Sequence, residues 1–332
     1  MSARRAPPLL PWMLAAVALA VAAVVPLAAA QRGRVTVVRD VAYAPADPAG
    51  SRGHLLDLWL PPGGHAGAAR RPLLVWSGGS GWLSDAGKDS AEPIARYFTA
   101  RGYAVAGVSV RSSEQAVFPA QVHDVKAAVR WLRAHAPDHG LDPERVAVMG
   151  DSSGGWLAAM AALTGDRPEL AGEVGVTGPS SAVQAAVDLY GPTEFLSMDE
   201  QMLPGACEEF NAAYGLSDCH ADPRSPESRL LGAPIRERPD LVAQASPVTY
   251  ASSTAPPMLI MHGQRDVLVP EAQSRALHEA LRRASAPVTF VSVPDAGHAW
   301  RQVLAGGRMA DVAAFLDTAL SRGSDDNSNP RP

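Results

Sequence analysis

Cysteine is scarce in this chain: 332 residues contain two, Cys207 and Cys219. That scarcity excludes a small fold stapled by many bridges, and the spacing fits no zinc pattern because His220 is the sole neighbouring ligand type. No lysine- or arginine-rich cluster stands out, and 29 basic side chains against 34 acidic ones leave a net charge of −5. Without a concentrated positive face, a nucleic-acid partner is excluded. The longest apolar stretch, Trp12 to Val25, runs about 14 residues between Pro11 and Pro26, short of the roughly 20 a membrane-spanning helix needs. A nucleotide-phosphate loop is also missing. "VWSGGSGW" lacks the final glycine of G-x-G-x-x-G, and "AGKDS" has Asp where Ser or Thr must follow Lys. No internal repeat is visible.

What is present begins with a processing segment. Arg4 and Arg5 give a basic start, the apolar stretch follows, and Ala28-Ala29-Ala30 supplies small residues for cleavage before Gln31. The sequence predicts a signal peptide over 1–30, a secreted or periplasmic mature chain, and no membrane span after cleavage. An uncleaved signal serving as an anchor is the alternative. In an oxidising space Cys207 and Cys219 are expected to pair, and so short a loop adds up to about 3 kcal/mol. Two free buried thiols are the other reading.

With 47% hydrophobic residues the chain can bury one large core or two smaller ones. The pattern after Gln31 decides for one α/β domain over 31–320. Strand candidates "VTVVRDVAY", "HLLDLWLP", "PLLVWS", "YAVAGVSV", "RVAVMG", "AAVDLYGP", "PPMLIMHG" and "VTFVSVP" are rich in Val, Leu and aromatics and punctuated by Gly or Pro. Several are apolar on successive residues, as strands covered on both faces are. Helical patterns lie between them, among them "VHDVKAAVRWLRAHA" and "MADVAAFLDTAL", where Val312, Phe315, Leu316 and Leu320 share one stripe. Strand then helix, repeated, predicts a mostly parallel central sheet with helices on both faces. From about 195 to 246 the regularity fails, and an excursion of that length is expected to be a lid-like insertion and not surface decoration. The stretch 321–332 has no apolar periodicity and reads as a disordered tail.

One short motif carries chemistry. "GDSSG" fences Ser152 between Gly150 and Gly154 where a strand gives way to a helix. G-x-S-x-G is weak alone in a chain with 29 glycines. Its context is stronger, because a nucleophile on a tight strand-to-helix turn needs tiny neighbours at those two positions. A serine hydroxyl then needs a base oriented by a carboxylate. Asp266 follows the apolar strand of "MLIMHGQRD", and His298 lies in the glycine-containing loop of "VSVPDAGHAW". Both sit beyond the C-terminal ends of their strands, which in a parallel sheet share one rim. His262 reads as a structural histidine, Asp295 as a turn former and a minor rival for the acid, and Asp151 as a cap for the following helix. Oxyanion donors are expected from the Ser153 amide and from the glycine-rich loop of "VWSGGSGW". Trp82 and the 195–246 segment are expected to shape an acyl pocket, with Trp82 as a plain core residue the alternative.

These residues resemble secreted α/β-hydrolases of the esterase/lipase superfamily, nearest to the feruloyl and acetyl-xylan esterase-like (BD-FAE) branch. The likeness runs from about Val38 to Leu320 through "LLDLWLPPG", "FPAQVHDVKAAVRWLRAHAPDHGLDPERVAVMGDSSGG", "SPESRLLG", "ASPVTY" and "PPMLIMHGQRDVLVPEAQS". It implies an α/β-hydrolase fold in which Ser152 is nucleophile, Asp266 acid and His298 base, with Gly79, Ser80 and Ser153 lining the oxyanion hole. One position departs from the pattern: Gly78 stands where many relatives carry a loop-organising histidine. The expected activity is hydrolysis of a small or carbohydrate-linked carboxylic ester through an acyl-enzyme, with no metal and no organic cofactor. A serine peptidase of the same fold and a non-catalytic binding module are the alternatives. The first usually recruits an extra domain or an anchor for a peptide terminus, and neither is visible; filled triad positions argue against the second.

Overall fold

The computed structural model describes residues 33–63, 70–165 and 167–321. The expected signal segment, 1–30, and all of the expected tail except Ser321 lie outside the described residues. Eight strands form one sheet: β1 (Thr36–Ala42), β2 (Leu55–Leu60), β3 (Arg71–Ser77), β4 (Ala104–Val108), β5 (Leu141–Asp151), β6 (Ala185–Leu189), β7 (Met258–Gly263) and β8 (Val288–Val293). Their order is β1-β2-β4-β3-β5-β6-β7-β8. The β1–β2 and β2–β4 pairs are antiparallel, and every pair from β4 to β8 is parallel.

Burial explains the strand sequences. β4, β6 and β7 are buried at every position, so no polar alternation is required of them, and they read as apolar runs. β1, at the sheet edge, is exposed at most positions. Among the helices, α1 (Glu92–Thr99), α2 (Ala120–Ala134), α3 (Ser153–Leu163), α4 (Ala206–Tyr214), α5 (Pro226–Leu231), α6 (Glu271–Arg283) and α7 (Arg308–Ala319) position the site. One apolar layer joins Val122 and Val125 of α2, Leu157 of α3 and Leu277 and Leu281 of α6. The other joins Ile94 and Phe98 of α1 with Val312 and Leu316 of α7. Helices therefore cover both faces, as the alternating pattern predicts.

α3 is buried along its whole length, so its small and apolar residues show no amphipathic stripe. The 195–246 segment is ordered into short helices, α4 and α5 among them. Gly205 and Gly215, both at positive φ, bound α4, which keeps that helix too short to print a sequence period. Since β5, β6, β7 and β8 are parallel neighbours, the loops that follow β5, β7 and β8 emerge on one rim.

Leu316, fully buried in the second layer, tests this packing. Leu316→Ala is expected to cost about 2–5 kcal/mol of stability, read as a lower urea midpoint with an unchanged slope.

Candidate active site

β5 ends at Asp151 and α3 begins at Ser153, leaving Ser152 alone at the turn with φ 55° and ψ −126°. A non-glycine residue in that region costs about 1–3 kcal/mol and persists only where its surroundings fix it. Here the Ser152 N–H donates to the Leu189 carbonyl (2.9 Å), and the Ser152 carbonyl accepts from the Trp156 N–H (3.0 Å). A side chain at residue 154 would overlap the Ser77 carbonyl at the end of β3, and one at residue 150 would overlap the backbone of Gly154. Glycine at both positions is what lets the turn close.

The three loops of the rim meet at this serine. His298 Nε2 lies 2.9 Å from Ser152 Oγ, and His298 Nδ1 lies 2.8 Å from Asp266 Oδ2. A carboxylate only accepts, so Nδ1 carries the proton and Nε2 offers its lone pair to the serine hydroxyl. The second oxygen, Asp266 Oδ1, accepts the N–H groups of Leu268 and Val269, both at 2.9 Å. Burial alone would raise the Asp266 carboxyl, but the adjacent His298 and the hydrogen bonds from His262 and His298 outweigh it and hold the group well below the usual carboxylate range. His262 is fully buried, with its ring nitrogens at Ser274 Oγ (2.7 Å) and the Val269 carbonyl (2.9 Å), which fixes the acid loop. Asp295 takes no part in this relay: it is exposed and pairs with Arg265 at 2.9 Å.

The glycine-rich loop is tied to the same turn. The Gly79 N–H donates to Asp151 Oδ1 at 3.0 Å, and the Ser80 N–H donates to Ser153 Oγ at 2.9 Å. Asp151 therefore does not cap α3, whose first turn has no side-chain cap. Its other oxygen accepts the Tyr190 hydroxyl at 3.1 Å, and burial pushes its carboxyl up despite those donors. The Tyr190 ring in turn packs at 62° against His298, with centroids 4.7 Å apart. The Ser153 N–H, at the first position of α3, has no carbonyl of its own helix to donate to. At Gly78 the space a side chain would take is filled by Ser90 Oγ, which accepts the Trp76 indole N–H at 2.9 Å and donates to the Gly87 carbonyl at 3.1 Å.

A narrow cleft of about 20 Å³ adjoins Ser152 and His298. Trp82 forms one wall, buried against Trp156 and Phe195 at centroid distances of 5.3 and 5.8 Å, so it serves both core and cleft. Phe210, Tyr214 and Glu227 of the 195–246 segment form the other. A Cys207–Cys219 bridge fastens α4 to the turn that carries His220, with Cα atoms 5.5 Å apart. The buried His220 ring reaches Asp199 Oδ1 through Nδ1 (2.9 Å) and the Leu268 carbonyl through Nε2 (3.0 Å). Burial opposes its charge, but Glu227, Asp199 and the Leu268 carbonyl outweigh that and raise its pKa. Sequence reasoning missed Tyr190, His220, Glu227 and the role of Asp151. The Ser-Pro-Glu of "SPESRLLG" is a legible helix start, with the Ser225 side chain accepting the Ser228 N–H, but nothing local tells where Glu227 points. Among the described residues no group of three His, Cys, Asp or Glu could hold a metal ion.

Known proteins resemble this chain in sequence and in fold. The BD-FAE family model matches residues 56–281. The chain is 33% identical to an esterase, LipQ, of Mycobacterium tuberculosis over 79% of its own length and 56% of that protein's. It is 33% identical to an acetyl-hydrolase of Streptomyces hygroscopicus, over 82% of each chain. The structure superposes on a truncated carbohydrate esterase from gut microbiota with a TM-score of 0.74 and 30% identity, covering 88% of this chain and 98% of that one. The fold is that of α/β-hydrolase esterases. Relative to the mycobacterial LipQ and LipM proteins, the chain spans only a little over half their length, 56% and 58%.

One buried acid beneath the turn gives a pH-dependent expectation. Asp188 on β6 accepts the Gly191 N–H through Oδ1 (2.8 Å), its Oδ2 has no partner, and burial pushes its pKa up to about 6 against the opposing pull of the Gly191 N–H and His262. Between the ordinary value and about 6 the unfolded chain has lost this proton and the folded one keeps it, so stability falls as pH rises through that window. The loss approaches about 3 kcal/mol and stays constant above it. Asp188→Asn is expected to be more stable than the parent at pH 8, with the advantage vanishing near pH 4, as read by urea titration at both values.

Proposed function

The chain belongs to the BD-FAE family, and on that premise we propose that it is a serine-dependent carboxylic ester hydrolase acting on a small or carbohydrate-linked ester. The observation that carries this reading is the continuous Ser152–His298–Asp266 relay, at 2.9 and 2.8 Å, opening on a cleft. His298 takes the Ser152 proton as the hydroxyl attacks the ester carbonyl, while Asp266 holds the ring and stabilises the imidazolium that forms. The tetrahedral oxyanion is received by the Ser153 N–H, with the Gly79 and Ser80 amides turning to it from their present acceptors, Asp151 and Ser153 Oγ. Collapse, with the His298 imidazolium giving its proton to the leaving oxygen, releases the alcohol and leaves an acyl-Ser152. Water, activated by His298, repeats the sequence and frees the acid. Trp82 is a substrate-binding wall in this scheme.

Export is part of the same proposal. The basic start, apolar stretch and Ala28-Ala29-Ala30 support a cleaved signal, and a bridged Cys207–Cys219 pair suits an oxidising space. Among the described residues no helix is long and apolar enough to cross a membrane.

Ser152→Ala is expected to abolish p-nitrophenyl acetate hydrolysis with circular dichroism unchanged, and Asp266→Asn to lower kcat on the order of 10³–10⁴-fold. Full turnover by the alanine variant, or wild-type cleavage of peptide but not ester substrates, refutes the assignment. N-terminal sequencing of the exported protein is expected to begin at Gln31; a chain starting at Met1 refutes cleavage.

A further inference from the structure

Two buried polar atoms in the cleft wall have no hydrogen-bond partner: the indole Nε1 of Trp82 and Oε2 of Glu227. Both side chains line the same cleft as Ser152 and His298, and they are only 3% and 4% exposed. Buried polar atoms are almost always paired in native proteins, so two orphans on one cleft next to a nucleophile mark groups that a ligand completes. Trp82 reaches the cleft from the glycine-rich loop and Glu227 from α5, so no single local packing fault accounts for both.

We propose that Trp82 and Glu227 form a hydrogen-bonding subsite that selects esters carrying free hydroxyl groups close to the scissile bond. The chemistry follows from the two atoms. An indole N–H only donates, and a carboxyl oxygen accepts, so a hydroxyl or a pair of neighbouring hydroxyls satisfies both. An ester whose alcohol is a plain alkyl chain covers the same wall but leaves both atoms unpaired, and sites of this kind reject the analogue that lacks the hydroxyl. Burial pushes the Glu227 carboxyl up, with His220 opposing, which favours a hydrogen-bonding group over a cationic one as its partner. The competing role for Glu227 is structural, as a carboxyl facing the buried His220. The two roles differ in what they predict for substrate choice.

This inference rests on the esterase reading and is tested on a matched pair, 1-glyceryl acetate and propyl acetate, which share a carbon skeleton and differ by two hydroxyls. The wild type is expected to favour the glyceryl ester in kcat/KM by at least about tenfold. The ratio of the two kcat/KM values is expected to fall about three- to tenfold in Trp82→Phe, which keeps the ring and removes the N–H. Glu227→Leu is expected to lower the ratio similarly and Glu227→Gln less, because the amide still offers an acceptor. A wild type without preference for the glyceryl ester, or variants that lose both esters in equal proportion, overturns the subsite and leaves the esterase reading intact. A wild type that hydrolyses neither ester overturns both.

Discussion

The Ser77 carbonyl at the end of β3 occupies the place where a side chain on residue 154 would begin, so α3 can start against the sheet only with glycine there. From that close approach the rest of the site follows. The turn between β5 and α3 has no room to relax into an ordinary conformation, and Ser152 is left at positive φ with its Oγ projecting over the rim. The strain, about 1–3 kcal/mol, is of the same size as the two backbone hydrogen bonds at Leu189 and Trp156 that fix the residue, each worth about 1 kcal/mol. A parallel sheet then does the remaining positioning, because β7 and β8 end on the same side as β5 and deliver Asp266 and His298 without any long-range threading.

Around this turn the polar groups are shared between neighbouring loops and do not serve one element each. Asp151 joins the glycine-rich loop to Tyr190, and Tyr190 packs on His298, so the residue before Ser152 orders both the glycine-rich loop and the ring that faces His298. The absence of a histidine at position 78 has a physical counterpart in the same region. Ser90 Oγ, bound to Trp76 and Gly87, occupies that volume, and the Gly78 N–H donates to the Gly87 carbonyl at 3.1 Å. The loop is thus organised from the segment that follows it and from Asp151, instead of by a side chain of its own.

How much of this was legible in the sequence depends on how local the determinant is. β4, β6 and β7 were readable because two-sided burial makes each an apolar run, and the α7 stripe was readable because one face of that helix is buried and the other is not. Serine, acid and histidine stood out because each follows its own strand. Asp151 was read as a helix cap because capping is what an aspartate before a helix usually does; its real partners, Gly79 and Tyr190, come from 72 and 39 residues away. Asp188 lay unnoticed inside an apolar run, since a strand pattern cannot say whether one polar atom finds a partner. The helices between 195 and 246 were unreadable because none is long enough to establish a period, and their order comes from cross-links that are tertiary.

Those cross-links explain why an irregular segment can form a defined wall. The Cys207–Cys219 bridge holds α4 to the turn at His220, and the Phe210 ring lies over the His220 ring with centroids 4.1 Å apart. His220 then spans from Asp199, inside the segment, to the carbonyl of Leu268, two residues beyond Asp266. A buried imidazole with both nitrogens engaged by oxygens tolerates little displacement, because moving it strands a charge-assisted hydrogen bond in a low-dielectric interior. The part of the chain with the least regular structure is therefore coupled directly to the loop that holds the acid. A wall fixed in this way has its shape set by the fold itself, so a group seated against it meets a lower ordering cost than a mobile loop would incur.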